Sequence, residues 1–252
     1  MEPKQIGLAL SGGGARGFAH VGVLKALEEN HLVPKVISGT SMGAIIGALI
    51  AAGYSSADIE NMALDKANLK IFNVRGLKLG LSTHNYVRKT LNKLLPETFS
   101  ELKMPLYLSA TNLNTAQHEV FSSGNLIDAV LASISIPLVF KPVNINGQFY
   151  ADGGLVKNLP ASSIRNKCDY LVGSHVNYIP DNFNLKTTGQ LIDRAIRISI
   201  HNTIMPEINL CDLYIDPKEC GEFDVLNFKV FDDIVNTGYQ EAIKEIKRNT
   251  TS

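Results

Sequence analysis

The sequence lacks an excess of charge of either sign, because 24 lysine and arginine residues balance 24 aspartate and glutamate residues in a chain of 252. No global field therefore favours nucleic acid, and no nucleic-acid partner is expected. Long hydrophobic runs are also missing, since the longest, residues 44–52, is about half of the ~20 residues that span a bilayer. The amino terminus has no basic segment followed by a sustained apolar core, so no secretory signal is predicted.

Cysteine is scarce. The three residues Cys168, Cys211 and Cys220 are an odd number at spacings that match no metal site. They are expected to be reduced thiols that fill core and surface positions of a cytoplasmic protein.

Short apolar runs alternate with segments of helical periodicity along the whole chain. Strands are predicted at residues 6–10, 35–38, 106–110, 120–121, 149–151, 170–173 and 213–215. Helices are predicted at residues 17–28, 42–52, 56–64, 84–94, 124–133, 191–204 and 232–248. No repeat or linker divides them, so one α/β domain over residues 1–252 is expected, with a sheet between helical layers.

A basic segment interrupts this pattern at about residues 65–97. Between Asp65 and Glu97 it carries seven lysine and arginine residues and no acidic one. Two interpretations are open: a solvated cap beside the core, or a flap that touches anionic lipid headgroups at the inner face of a membrane.

The first chemical motif is "SGGGARG", which lies between a predicted strand and a predicted helix and contains a glycine loop, residues 12–14. Gly12, Gly14 and Gly17 complete G-x-G-x-x-G, which is typical of dinucleotide-binding folds. Such a fold needs an acidic residue after the second strand to hold the ribose, and none is present there. A dinucleotide-dependent oxidoreductase is therefore disfavoured.

The second strand instead leads into Gly39-Thr40-Ser41-Met42-Gly43, which is G-x-S-x-G between a strand and a helix. This is the pattern of a nucleophile elbow, in which flanking glycines make room for a sharp turn that exposes the serine hydroxyl. Ser41 is therefore the candidate nucleophile.

A serine nucleophile gives the glycine loop a different task, because acyl transfer generates an oxyanion. The N–H groups of Gly12, Gly13 and Gly14, which have no side chains in the way, could stabilise that charge. Arg16 has three open interpretations: it holds the loop in shape, attracts an anionic headgroup, or forms a surface salt bridge.

The serine also needs a base. Asp152 follows a predicted strand and precedes Gly153 and Gly154, so its carboxylate could approach another loop closely. His175 is the one histidine at the end of a predicted strand, which leaves a Ser-His triad as the alternative.

Together these motifs resemble the patatin-like phospholipase family, which has a glycine-rich oxyanion loop, a G-x-S-x-G elbow and a D-G-G/A turn in this order. Residues 131–143, "LASISIPLVFKPV", are similar to a further block of the family, and the resemblance covers residues 5–247. Ser11 departs from it, because many relatives carry aspartate at that position.

The resemblance implies a three-layer α/β/α sandwich with a largely parallel sheet and a Ser41-Asp152 dyad that needs no metal or cofactor. It also implies lipid acyl esters as substrates, chiefly phospholipids and lysophospholipids. In this scheme the N–H groups of Gly13, Gly14 and Met42 hold the oxyanion of an acyl transfer that proceeds through an acyl-enzyme. Two alternatives remain: a hydrolase of other, soluble acyl esters, and a non-catalytic scaffold on the same fold.

Overall fold

The computed structural model describes residues 5–64, 84–137, 139–179, 185, 187–225 and 227–250. Its strands are β1 (Ile6–Leu10), β2 (Val36–Thr40), β3 (Leu106–Asn112), β4 (Gln117–Phe121), β5 (Val143–Ile145), β6 (Gln148–Asp152), β7 (Tyr170–Ser174) and β8 (Leu213–Ile215). Its α-helices are α1 (Ala19–Glu29), α2 (Met42–Ala52), α3 (Ser56–Leu64), α4 (Asn85–Leu94), α5 (Leu126–Ser133), α6 (Thr188–Ile208) and α7 (Phe231–Thr250).

The described strands form one mixed, mostly parallel sheet of eight strands. Strands β3, β2, β1, β7 and β8 are neighbours in that order and run parallel, with Leu10 opposite both Gly39 and Ser174. Strands β4, β5 and β6 add antiparallel pairs at the β3 side. The predicted sandwich with a largely parallel sheet is confirmed.

Strand β3 has different partners along its two edges. Leu108 pairs with both β2 and β4, and Ala110 pairs with both β4 and β6. Because a strand has only two edges, β4 occupies one of them, and β2 and β6 share the other. The parallel strand β2 therefore ends at Thr40, opposite Ser109, where the antiparallel strand β6 ends at Asp152, opposite Ala110.

Apolar side chains cover both faces of the sheet, as alternation along a buried strand requires. Leu8 and Leu10 of β1 belong to the larger core, which α1, α2, α5 and α7 complete. Ala9 belongs to a second core, to which α6 contributes Ile200 and Ile204. One core therefore lies on each face of the sheet, between the sheet and a layer of helices.

The predicted elements match the described ones closely. Helix α2 has the predicted bounds and ends at Gly53, whose φ of 98° is the left-handed conformation of a glycine cap. The predicted helix 17–28 is instead a 3-10 turn, Gly14–Phe18, followed by α1. Strand β5 was not predicted, because only three residues form it and few of its side chains are buried.

Helix α6 is longer than predicted. It begins after a capping box in which the Thr187 hydroxyl accepts the Gln190 N–H, while the Gln190 side chain accepts the Thr187 N–H. Of the basic segment, residues 65–83 lie outside the described residues. In the remainder, α4 is linked to α5 by an ion pair of 2.7 Å between Arg88 and Asp128.

Candidate active site

Ser41 lies in a sharp turn between β2 and α2, as the elbow motif predicts. Its φ of 55° and ψ of −119° are unusual for a residue with a side chain, and such a conformation costs about 1–3 kcal/mol. The Ser41 N–H donates to the Ser133 hydroxyl at 3.0 Å, and that hydroxyl donates to the Ser109 carbonyl at 2.7 Å. The last residue of helix α5, Ser133, therefore anchors the turn through this hydrogen bond.

The glycines of the elbow are required by close packing. A Cβ atom on Gly43 would lie 2.5 Å from the Leu10 carbonyl oxygen and 2.6 Å from that of Ser11. A Cβ atom on Gly39 would overlap the Gly43 carbonyl group. The turn can therefore fold back on itself and against the end of β1 only when both positions lack side chains.

Asp152 lies at the end of β6 and is buried, with 6% of the residue exposed. Oδ1 accepts the Gly154 N–H at 2.8 Å, whereas the buried Oδ2 has no hydrogen-bond partner among the described residues. Burial raises the pKa of Asp152 from 3.8 to about 6, and the nearby Ser41 hydroxyl and the Gly154 N–H oppose that rise. The carboxylate is thus more basic than an ordinary aspartate.

The shared edge of β3 brings Ser41 and Asp152 together. Ser41 follows the last residue of β2, and Asp152 is the last residue of β6, so both occupy the point where these strands meet. Gly153 makes the approach possible, because a Cβ atom there would overlap the Ser109 carbonyl group.

The glycine loop, residues 12–14, lies against the nucleophile. A Cβ atom on Gly12 would be 3.1 Å from Cβ of Ser41. The Gly12 N–H already donates to the Asn158 carbonyl at 3.2 Å, so it does not join the expected set of oxyanion donors. Within the described residues, no hydrogen bond occupies the N–H groups of Gly13, Gly14 or Met42. Met42 is also the first residue of α2, where the helix dipole favours negative charge.

Arg16 is buried, with only 1% of its surface exposed. Its Nε donates to the Phe223 carbonyl at 2.7 Å, which ties the turn after the glycine loop to a distant segment. The interpretation as a surface salt bridge is therefore wrong, and the contact favours the structural role. Gly17 lies against the start of α2, because a Cβ atom there would be 2.6 Å from Cβ of Met42.

His175 does not lie beside Ser41. It follows β7, which β1 separates from β2, so at ~4.8 Å per strand its backbone is roughly 10 Å from the elbow. Its Nδ1 is 3.1 Å from Asp216, and its ring stacks on Tyr214. This arrangement does not favour the triad alternative.

Four further residues support the glycine loop and the elbow, three through their side chains and Asn158 through its backbone carbonyl. No sequence motif indicated the roles of Ser133, His20 and Asn177. Ser133 holds Ser41. The buried His20 contacts the Ser11 carbonyl and the Ser174 hydroxyl, each at 2.8 Å, and desolvation lowers its pKa to about 4. Asn158 and Asn177 hold the two ends of the Gly12 residue. For Asn158, proximity to Asp152 along the chain was the only available indication.

Comparisons with known proteins agree with these motifs. Residues 8–164 match the family model described as patatin-like phospholipase. The chain is 31% identical to the uncharacterized protein R571 of Acanthamoeba polyphaga mimivirus over 199 residues, which are 68% of this chain and 67% of that protein. It is 33% identical to a lysophospholipase of Aspergillus fumigatus over 94% of its own length, but spans only 18% of that longer relative.

Among solved structures, VipD from Legionella pneumophila has a similar fold. The TM-score is 0.58 at 16% sequence identity, over 98% of this chain and 67% of that one. None of the helices described here has the length and apolar character needed to cross a membrane.

Proposed function

Because the chain belongs to the patatin-like phospholipase family, we propose that it is a serine-dependent lipid acyl hydrolase of phospholipids and lysophospholipids. The observation that supports this proposal is the meeting of β2 and β6 on one edge of β3, because Ser41 follows the last residue of β2 and the buried Asp152 ends β6. One carboxylate oxygen of Asp152 has no hydrogen-bond partner among the described residues. A hydroxyl next to a base of raised pKa is the arrangement that nucleophilic acyl transfer needs.

In the first half of the reaction, Asp152 takes the proton of the Ser41 hydroxyl as Oγ attacks the ester carbonyl carbon. The negative charge moves to the carbonyl oxygen, where the N–H groups of Gly13, Gly14 and Met42 donate to it. When the carbon–oxygen bond to the alcohol breaks, Asp152 returns the proton to the leaving oxygen. The acyl group stays on Ser41 as an ester.

In the second half, Asp152 takes a proton from water, and the resulting hydroxide attacks the acyl-enzyme. Collapse of this second tetrahedral intermediate releases the fatty acid, and the proton returns to Oγ of Ser41. The same carboxylate thus serves as base and then as acid in each half. Contact of the basic segment with anionic lipid stays a prediction, because residues 65–83 lie outside the described part of the chain.

The test is incubation with a mixed lipid extract, with released fatty acids measured by mass spectrometry. We expect Ser41→Ala and Asp152→Asn each to lower turnover by more than about 10³-fold while circular dichroism stays unchanged. His175→Ala should retain activity. If His175→Ala abolishes turnover and Asp152→Asn does not, the dyad is wrong and the triad is right.

Labelling with a fluorophosphonate probe separates the remaining alternatives. Labelling of Ser41 without fatty-acid release from any lipid would indicate a hydrolase of other acyl esters. Absence of labelling would indicate a non-catalytic scaffold.

A further inference from the structure

The carbonyl oxygen of Gly12 is held by two side chains. Nδ2 of Asn177 donates to it at 2.6 Å, and the Ser11 hydroxyl donates to it at 3.0 Å. Asn177 is only 4% exposed, and the same Nδ2 also donates to Oδ1 of Asn158 at 3.1 Å. The amide of Asn177 therefore has both of its hydrogens engaged and one fixed orientation.

Fixing this carbonyl also fixes a neighbouring N–H group. The Gly12 carbonyl and the Gly13 N–H belong to one planar trans peptide unit, so they point in opposite directions. When the carbonyl points at Asn177, the Gly13 N–H points away from Asn177. That N–H is one of the groups that no described hydrogen bond occupies.

The glycine loop itself offers little resistance to rotation of this peptide unit. Glycine accepts φ values of either sign, and three glycines follow one another here. A rotated unit would turn the Gly12 carbonyl oxygen, instead of the Gly13 N–H, toward the charge that forms at Ser41. Some contact outside the loop must therefore select the orientation.

We infer that Asn177 is a positioning residue that locks the Gly12–Gly13 peptide with its N–H directed at the oxyanion. This inference rests on the proposed function, because it concerns the same reaction. The hydrogen bonds to the Gly12 carbonyl also polarise the peptide unit and strengthen its N–H as a donor. The partner Asn158 fixes the preceding peptide, since its carbonyl accepts the Gly12 N–H.

The experiment compares Asn177→Ala and Asn177→Asp with the wild type on a soluble short-chain ester and on its thiono analogue. Sulfur accepts hydrogen bonds poorly, so the ratio of the oxo to the thiono rate reports on the oxyanion donors. Asn112→Ala is the matched control, because Asn112 is also buried at 6% exposure and donates to Glu119 away from the glycine loop.

For Asn177→Ala we expect kcat on the oxo ester to fall about 10- to 100-fold, with KM within about twofold and a lower oxo-to-thiono ratio. Asn177→Asp keeps the size of the side chain but places a carboxylate against the Gly12 carbonyl, so the ratio should fall at least as far. Asn112→Ala should keep the wild-type ratio even where its thermal stability is lower.

An unchanged ratio in Asn177→Asp, or equal loss of both rates, overturns the inference; this variant decides the matter if Asn177→Ala does not fold. Ser41→Ala separates failure of the proposed function from failure of the proposed role of Asn177. If the wild type hydrolyses neither ester, the proposed function fails and this inference with it. If the wild type is active, Ser41→Ala is inactive and the Asn177 variants keep the ratio, only the role of Asn177 is wrong.

Discussion

The substitution Asp152→Asn should stabilise the folded protein at neutral pH while it removes activity. The Asp152 carboxylate is buried, and burial raises its pKa from 3.8 to about 6. At pH 7 the carboxylate is ionised in both the folded and the unfolded protein, but burial makes its charge more costly in the folded state. The neutral amide of asparagine avoids this cost, and its Oδ1 can still accept the Gly154 N–H.

The size of the effect follows from the two pKa values. Each pKa unit corresponds to about 1.36 kcal/mol, so the difference between a pKa of 3.8 and one of about 6 corresponds to about 3 kcal/mol. Because the pKa is higher in the folded state, the stabilising contribution of the protonated carboxyl is fully present below pH 3.8. It is lost as the pH rises through about 6, and it is constant above that range.

The assay is urea denaturation of wild type and Asp152→Asn at intervals from pH 4 to pH 8. The free energy of unfolding of the variant, relative to wild type, should increase by up to about 3 kcal/mol across that range. All other carboxylates titrate alike in the two proteins, so the difference isolates position 152.

Asp58→Asn is a control of opposite sign. Asp58 is exposed, and hydrogen bonds from Ser55 lower its pKa, so this variant should not gain stability as the pH rises. A difference between Asp152→Asn and wild type that does not change with pH would refute the reasoning. A variant that becomes relatively less stable toward pH 8 would do the same.

Two further results are expected. The kcat/KM of the wild type on a soluble ester should rise with pH through about 6, because Asp152 accepts the Ser41 proton only as a carboxylate, and a rise confined to pH above 8 would contradict this role. Ser133→Ala should lower the free energy of unfolding by about 1–3 kcal/mol and reduce kcat, since it leaves the Ser41 N–H without its acceptor. The matched control is Ser163→Ala, because the buried hydroxyl of Ser163 has no hydrogen-bond partner within the described residues. Urea denaturation should show little loss in the free energy of unfolding of this variant.

The sequence predicted those parts of the site that depend on neighbouring residues. The elbow at Ser41 and the bounds of α2 follow from a local pattern: two glycines, an apolar run and a capping glycine at position 53. The turn at Asp152 is equally local. A strand followed by two glycines indicates it without knowledge of the remaining chain.

The supporting contacts could not be predicted in this way, because they join positions far apart in the chain. Asn177 and Gly12 are separated by 165 positions, and Ser133 and Ser41 by 92. Each contact also pairs a side chain with a backbone group, which leaves no complementary residue type to recognise. For Arg16 the sequence left three interpretations open, because the contact that favours the structural role is with a carbonyl 207 positions away.

The end-to-end meeting of β2 and β6 on one edge of β3 makes the spacing of the proposed dyad discrete. Removal of one residue from β6 would shift its end by about 3.3 Å along β3 and turn Asp152 to the opposite face of the sheet. No intermediate position exists, because hydrogen-bond register changes only in whole residues. The distance between Asp152 and Ser41 therefore changes only in steps of one residue along β3. Smaller adjustments of this distance have to come from the loops around the two residues.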